Sequence, residues 1–212
     1  MWAVVPAKDP ADAKQRLSFV LNNEQRRKLF RAMLEDVVEV LLKVPALDGL
    51  MLVSRNTDAE WLAEQYGVRL LHEKENKGHT AAVSFAARVL GAEGATGILQ
   101  LPGDVPMVSV DEIEQVMAAH GAAPAVTIVP SRDKKGSNCV LCSPPEVMPL
   151  TFGENSFYPH LTVARNHGLE PRVLEMPGIG LDIDTADDLR KLLALNADNR
   201  TGRFLRENSL RL

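Results

Sequence analysis

Apolar residues along the chain follow two alternating rhythms. Short apolar runs bounded by Gly, Pro or polar clusters occur at Trp2–Val5, Leu50–Ser54, Val68–Leu71, Gly97–Leu101, Ala125–Pro130, Cys139–Cys142, Pro171–Leu174 and Gly180–Ile183. Each predicts a buried strand. Between most of them the apolar positions recur at helical spacing. Glu24–Lys43 carries Leu29, Met33, Val37, Val40 and Leu41 on one face, with Asn22 or Asn23 available as cap. Further helices are predicted at Asp58–Tyr66, Thr80–Leu90, Val110–His120, Ser156–His167 and Ala186–Leu195. Strands alternating with helices predict an α/β fold, a mostly parallel sheet with helices on both faces. No linker, repeat or low-complexity tract divides the chain. The reading is a single domain over residues 1–195 and a C-terminal tail over 196–212. The tail carries Arg200, Arg203, Arg206 and Arg211, and is expected to be a solvated or subunit-contacting helix.

Composition narrows the function. The 212 residues can bury a sizeable core, and with aromatics at 5% that core should be aliphatic, as in covered parallel sheets. A net charge of −4 argues against nonspecific nucleic-acid binding. No apolar run approaches the ~20 residues of a membrane span. The opening Met1-Trp2-Ala3-Val4-Val5-Pro6 is too short for a signal peptide and lacks a basic start, so cytoplasmic residence is the expectation. Cys139 and Cys142 suggest a redox or zinc site. Three residues apart on a strand they would face opposite ways, and no second Cys or His pair stands at zinc spacing, so they read as core thiols.

The chemistry points to two acidic clusters, each where an apolar run stops. One is Gly97-Ile98-Leu99-Gln100-Leu101-Pro102-Gly103-Asp104-Val105-Pro106, the other Gly180-Leu181-Asp182-Ile183-Asp184-Thr185. Open α/β sheets bind ligands beyond the carboxyl ends of their strands, and carboxylates there can hold a hard cation against a polyphosphate. Turn chemistry also accounts for Asp104, and a helix N-cap at Thr185 completed by Asp188 accounts for Asp184. Asp182 lies inside an apolar stretch, where an unpaired charge costs about 2–5 kcal/mol, so it needs a partner. At strand spacing, Asp182 and Asp184 would share a face.

Around these carboxylates the sequence offers anion-binding groups. The segment after the first strand has neither a Walker loop nor G-x-G-x-x-G, but supplies the cations Lys8, Lys14 and Arg16. The loop Ser131–Asn138 mixes charge with a turn. Phe152-Gly153-Glu154-Asn155-Ser156 precedes a helix, whose backbone N–H groups and the Ser156 hydroxyl can bind an anion or merely cap the helix. No Ser/His/Asp set, H-E-x-x-H motif or reactive cysteine context occurs. An acceptor that is itself an anionic phosphate needs no general base, only positioning and charge neutralisation.

In order and spacing, several segments together resemble the guanylyltransferases that make the activated side-chain precursor of coenzyme F-420, the 2-phospho-L-lactate or phosphoenolpyruvate guanylyltransferases. They are Val5-Pro6 with Lys8, Ala13-Lys14-Gln15-Arg16-Leu17, Leu101-Pro102-Gly103-Asp104-Val105-Pro106, Gly136-Ser137-Asn138, Phe152–Phe157 with His160, and Leu181-Asp182-Ile183-Asp184-Thr185 with Asp187-Asp188-Leu189. The resemblance implies a Rossmann-like, GT-A-type nucleotidyltransferase. It would transfer GMP from GTP to 2-phospho-L-lactate, phosphoenolpyruvate or 3-phospho-D-glycerate and release pyrophosphate. It further implies Mg²⁺ on Asp104, Asp182 and Asp184, and catalytic roles for Lys14, Arg16 and Asp104. Lys8, Ser137, Gly153 and Ser156 would hold the acid; Gly78, His79, Pro102 and Gly103 would face the nucleotide. GTP and a small phosphorylated acid would be the partners, with a possible homodimer and a downstream transferase that takes the product. Ser137 stands where the family usually has Thr, and His79-Thr80 where it usually has Leu-Asn. The competing readings are a nucleotidyltransferase of molybdenum-cofactor or sugar-phosphate type, a glycosyltransferase, and a non-catalytic binding member of the fold. The segment Pro6–Leu17, the late position of Asp182-Ile183-Asp184 and the intact acidic set disfavour these in turn.

Overall fold

The computed structural model describes residues 1–7, 15–75, 77–153 and 155–208. Seven strands form one sheet: β1 (Trp2–Pro6), β2 (Gly49–Ser54), β3 (Arg69–His72), β4 (Ile98–Gln100), β5 (Ala125–Pro130), β6 (Ser137–Ser143) and β7 (Arg172–Val173). Their order is β3-β2-β1-β4-β6-β5-β7. All neighbours run parallel except β6, which is antiparallel to β4 and to β5. Only residues 131–136 join β5 to β6, too few for a crossover, so the chain turns back on itself. β6 therefore begins at the sheet edge where β1 and β4 end.

The helices are α1 (Asn23–Leu41), α2 (Thr57–Tyr66), α3 (His79–Ala92), α4 (Val110–Ala119), α5 (Phe157–Asn166), α6 (Ala186–Ala194) and α7 (Arg200–Glu207), and a 3-10 turn spans Gln15–Leu17. The six predicted helices are present within a few residues. Local chemistry sets their starts. Asn22 and Gln25 form a reciprocal capping box at α1, and Asn56 and Ser109 accept N–H bonds at α2 and α4. Among the described residues, no helix is long and apolar enough to cross a membrane.

The sheet is apolar on both faces. One cluster gathers Val5, Leu52, Leu99 and Leu141 against α1, α2 and α4; the other gathers Val4, Met51, Ile98 and Val140 against α3 and α5. Successive strand residues feed opposite clusters, the period-2 alternation of a sheet covered twice. Cys139 joins the first cluster and Cys142 the second. Burial pushes both thiols up, Cys142 to about 12, so they are inert core residues.

A third cluster lies off the sheet, with Leu29, Met33, Leu189, Leu192, Phe204 and Leu205. Helix α7, in the basic tail, is thus packed on α1 and α6. Asp36 of α1 accepts hydrogen bonds from the Arg200 and Thr201 N–H groups at 2.9 Å each and from Thr201 Oγ1 at 2.6 Å. The Arg200 guanidinium pairs with Glu35 and Glu39.

The strand expected at Gly180–Ile183 does not form. Those residues run outside the sheet, across the loops that follow β4 and β5: Ile183 N–H donates to the Asp104 carbonyl at 3.0 Å, and Arg132 N–H to the Gly180 carbonyl at 2.8 Å. Their apolar alternation has a different cause. Leu181 and Ile183 turn into the third cluster, leaving Asp182 and Asp184 on the opposite side.

Candidate functional site

The sheet reverses its order of succession between β1 and β4, because β2 lies on one side of β1 and β4 on the other. Ligands of open α/β sheets bind at such a point. A cavity of about 700 Å³ opens there, within the size range of ligand sites. Of the expected residues, Arg16, His79, Pro102, Asp104, Ser137, Gly153, Ser156, Asp182 and Asp184 line it. Gly78 and Gly103 do not. Gly78 precedes α3 with φ 89°, a conformation that favours glycine. Gly103 is packed on α1, where an added Cβ would lie 2.8 Å from Leu34 Cδ1. Lys8 and Lys14 fall outside the described residues. Lys135, Ser131, Asp133, Asn138, Asn155 and Phe152 complete the wall.

The acidic side is held by a scaffold of buried polar contacts. Glu112 of α4 accepts from Gly178 N–H at 2.6 Å and Ile179 N–H at 3.1 Å, fixing the segment that leads to Asp182. Asn138 donates from one amide nitrogen to the Ile179 carbonyl at 2.9 Å and to the Asp182 carboxylate at 3.1 Å. Burial, then the nearby Asp104 charge, raises the Asp182 pKa; the Asn138 hydrogen bond opposes this and Asp184 adds to it. The partner that Asp182 requires is thus Asn138, and like charge surrounds it. Thr185 and Asp188 do form the helix-capping box, so capping belongs to those two while Asp184 faces the cavity.

Among the described residues, no three His, Cys, Asp or Glu side chains are gathered closely enough to form a ready ion cage. The donor set nevertheless fits a hard cation. It is all oxygen, and the charges of Asp104 and Asp184 act on the buried Asp182, a cost that a counter-ion relieves. Mg²⁺ is commonly held by one or two carboxylates with substrate phosphates and water, rather than by an all-protein cage.

The same cavity is lined by hydroxyls. Ser137 opens β6 and Ser156 precedes α5; both are buried, and Ser137 N–H donates to Ser156 Oγ at 3.0 Å. Ser156 makes no side-chain capping bond to its helix, which removes the capping explanation of that serine. Lys135 sits beside them, and its carbonyl accepts from Phe157 N–H at 2.9 Å. The sequence pointed to the charged loop Ser131–Asn138 without marking Lys135. Only the hairpin connection that brings this loop to the carboxyl edge of the sheet does so.

His79 lines the cavity and ties the start of α3 to β4 and to the loop before α5. Its ring lies 2.9 Å from the Gln100 side-chain nitrogen and stacks, tilted, on Phe152 with ring centroids 4.5 Å apart. Thr80 clamps the same loop, as its hydroxyl accepts from Phe152 N–H at 2.8 Å and donates to the Phe152 carbonyl at 3.3 Å. The start of α3 is therefore tied to the segment that carries Gly153 and Ser156.

Carboxylates, hydroxyls and cations lining one cavity suit the binding of anionic ligands beside a cation. A family model described as "Guanylyl transferase CofC like" matches residues 1–212. The chain is 33% identical over 202 residues to a phosphoenolpyruvate guanylyltransferase of Conexibacter woesei, covering 95% of this chain and 91% of that one. It is 30% identical over 194 residues to a 3-phospho-D-glycerate guanylyltransferase of Colwellia psychrerythraea, covering 92% and 91%. A solved structure from Desulfovibrio desulfuricans G20, described as a nucleotide-diphospho-sugar transferase, superposes with a TM-score of 0.76 at 19% identity, covering 98% of this chain and 94% of that one. That last likeness concerns the fold alone.

Proposed function

The chain belongs to the CofC-like guanylyl transferase family, and from that premise we propose that it transfers GMP from GTP to the phosphate of a small C3 phospho-acid in the cytoplasm. An acceptor phosphate oxygen attacks the α-phosphorus of GTP; the bond from that phosphorus to the bridging α–β oxygen breaks, and pyrophosphate leaves with the electron pair. The acceptor is already anionic, so the protein has to position and neutralise rather than remove a proton.

The observation that carries this reading is the convergence of Asp104, Asp182 and Asp184 with Ser137 and Ser156 on one cavity at the sheet's switch point. The three carboxylates would hold Mg²⁺, which when bound neutralises phosphate charge. Ser137, Ser156 and the Gly153 backbone are assigned to the acid. Arg16, with Lys8 and Lys14, is assigned to phosphate charge, and Lys135 extends that set. His79 and Pro102 are assigned to the nucleotide, with Gly78 and Gly103 shaping the backbone beside them. The product, an acid joined to GMP through a pyrophosphate bridge, is activated for a following transferase, as coenzyme F-420 assembly requires.

The test is pyrophosphate release by the purified protein with Mg²⁺, each of the four NTPs, and phosphoenolpyruvate, 3-phospho-D-glycerate or 2-phospho-L-lactate. Release that needs both GTP and one of these acids supports the reading. No acid-dependent release with any NTP overturns it.

A further inference from the structure

A hydroxyl can either donate or accept, so a serine wall binds an anion only if its protons point outward. His160 of α5, fully buried and behind the cavity wall, bears on this for Ser137. Thr151 N–H, which can only donate, lies 3.0 Å from His160 Nε2. That nitrogen is therefore the bare one, and the ring hydrogen sits on Nδ1. His160 Nδ1 lies 2.9 Å from Ser137 Oγ and must donate to it. Ser137 then accepts one hydrogen bond on the protein side and has its proton free for the cavity that it lines.

We propose that His160 is a positioning residue for the acceptor's anionic group, holding Ser137 as a hydrogen-bond donor toward the cavity. The inference rests on the reading of the Ser137–Ser156 wall as the acceptor site. The opposite tautomer would take the serine proton for itself and turn the oxygen lone pairs on the anion. Thr151 N–H selects the required one, and the surroundings hold the ring in place. Phe152 lies edge-on to the imidazole with ring centroids 4.9 Å apart, and Thr80 clamps that phenylalanine's backbone. Burial depresses the His160 pKa to about 4, so the ring is neutral near pH 7. Ser156 shows the same arrangement by another route: its oxygen accepts from Ser137 N–H, leaving its own proton for the cavity.

Two measurements test this. Nitrogen-15 NMR of labelled imidazoles, with His160→Asn used to assign the signal, should show hydrogen on Nδ1 of His160; hydrogen on Nε2 overturns the inference whatever the enzyme does. Pyrophosphate release should show that His160→Leu raises the acceptor-acid KM about tenfold, the size expected for losing an oriented hydrogen bond to a charged group. The GTP KM should stay within about twofold. His160→Asn, whose amide nitrogen can stand in for Nδ1–H, should stay within about threefold of wild type for the acid. Ser137→Ala combined with His160→Leu should be no worse than Ser137→Ala alone, because one path carries both effects. Equal rises in both KM values, or multiplying effects in the double variant, would mean that His160 supports the fold and not Ser137. If His160→Leu does not fold, His160→Asn against His160→Gln, which lacks a donor at the Nδ1 position, decides the same point. Absence of turnover by the wild type with all three acids is a failure of the guanylyl-transfer reading, and the tautomer measurement still decides the histidine's geometry.

Discussion

Acidification should destabilise this protein through His160 in a window fixed by that residue's burial. An unfolded histidine titrates near pH 6.5. In the folded protein burial alone holds His160 down to about 4, with no charged group contributing. Between these values the unfolded chain binds a proton that the folded chain refuses, so stability falls as pH falls. The contribution is complete above about pH 7, declines below it, and is exhausted below about pH 4. At pH 5 the unfolded ring is almost wholly charged and the folded ring almost wholly neutral. The loss there is 1.5 pH units at 1.36 kcal/mol each, or about 2 kcal/mol.

Other buried groups also shift the pH dependence. His120 is also lowered, by burial and then by the Arg172 charge, and adds a loss of the same sign. Asp36 and Glu73 are raised by burial and act in the opposite sense. Comparison with His160→Asn removes these shared contributions. Urea unfolding at pH 7 and pH 5, at one ionic strength, should show wild type losing about 2 kcal/mol more than the variant over the same interval. The variant will be less stable at pH 7, which does not matter; only the change with pH is read. Equal losses in the two proteins, with unchanged m values, would refute the claim that a neutral buried imidazole is held here.

Asp104→Asn should abolish acid-dependent pyrophosphate release while far-UV circular dichroism and the unfolding midpoint stay near wild type; retention of near wild-type rate would remove Asp104 from the metal set. Glu112→Ala leaves two buried N–H groups, those of Gly178 and Ile179, without their carboxylate. It should cost about 2–4 kcal/mol in urea unfolding and lower turnover by loosening the Asp182 segment. Phe204→Ala, in the tail, should cost about 3 kcal/mol, because that ring is buried against α1 and α6; a cost under about 0.5 kcal/mol would mean that the tail contributes nothing to the core.

The legible parts of the chain were those where a local rule and the tertiary outcome coincide. Leu29, Met33 and Val37 repeat at helical spacing, and Asn22 with Gln25 caps their helix from within its own first turn. The Gly180–Ile183 segment misleads for a physical reason: alternation of buried and half-buried residues requires only an extended backbone with a core on one side. Here Leu29, Met33 and Phe204 provide that core without a neighbouring strand. The face shared by Asp182 and Asp184 was therefore inferable although the strand was not. Nothing local announces that β6 runs antiparallel. Its direction follows from the length of the 131–136 connection, and it is this reversal that puts Ser137 and Asn138 at the carboxyl edge of the sheet.

That reversal also explains why the site needs no glycine-rich phosphate loop. In a sheet with every strand parallel, the groups at the carboxyl edge come from strand ends and the loops after them. An inserted antiparallel strand contributes its beginning to the same edge. Asn138 can then reach Asp182, and Ser137 can meet Ser156 and His160, across distances of 2.9–3.1 Å. One hairpin thus supplies two neighbouring residues to the cavity, at the point where the β5–β6 ladder shifts register: Asn138 bonds Asp182, and Ser137 bonds Ser156 and His160. A shift of β6 by one residue would put Asn138 in the place of Ser137 and Cys139 in the place of Asn138, or else Gly136 and Ser137 there, and either shift removes the Asn138–Asp182 hydrogen bond. The geometry that joins two anions here is therefore as much a property of the β5–β6 hairpin as of the carboxylates that mark the site in the sequence.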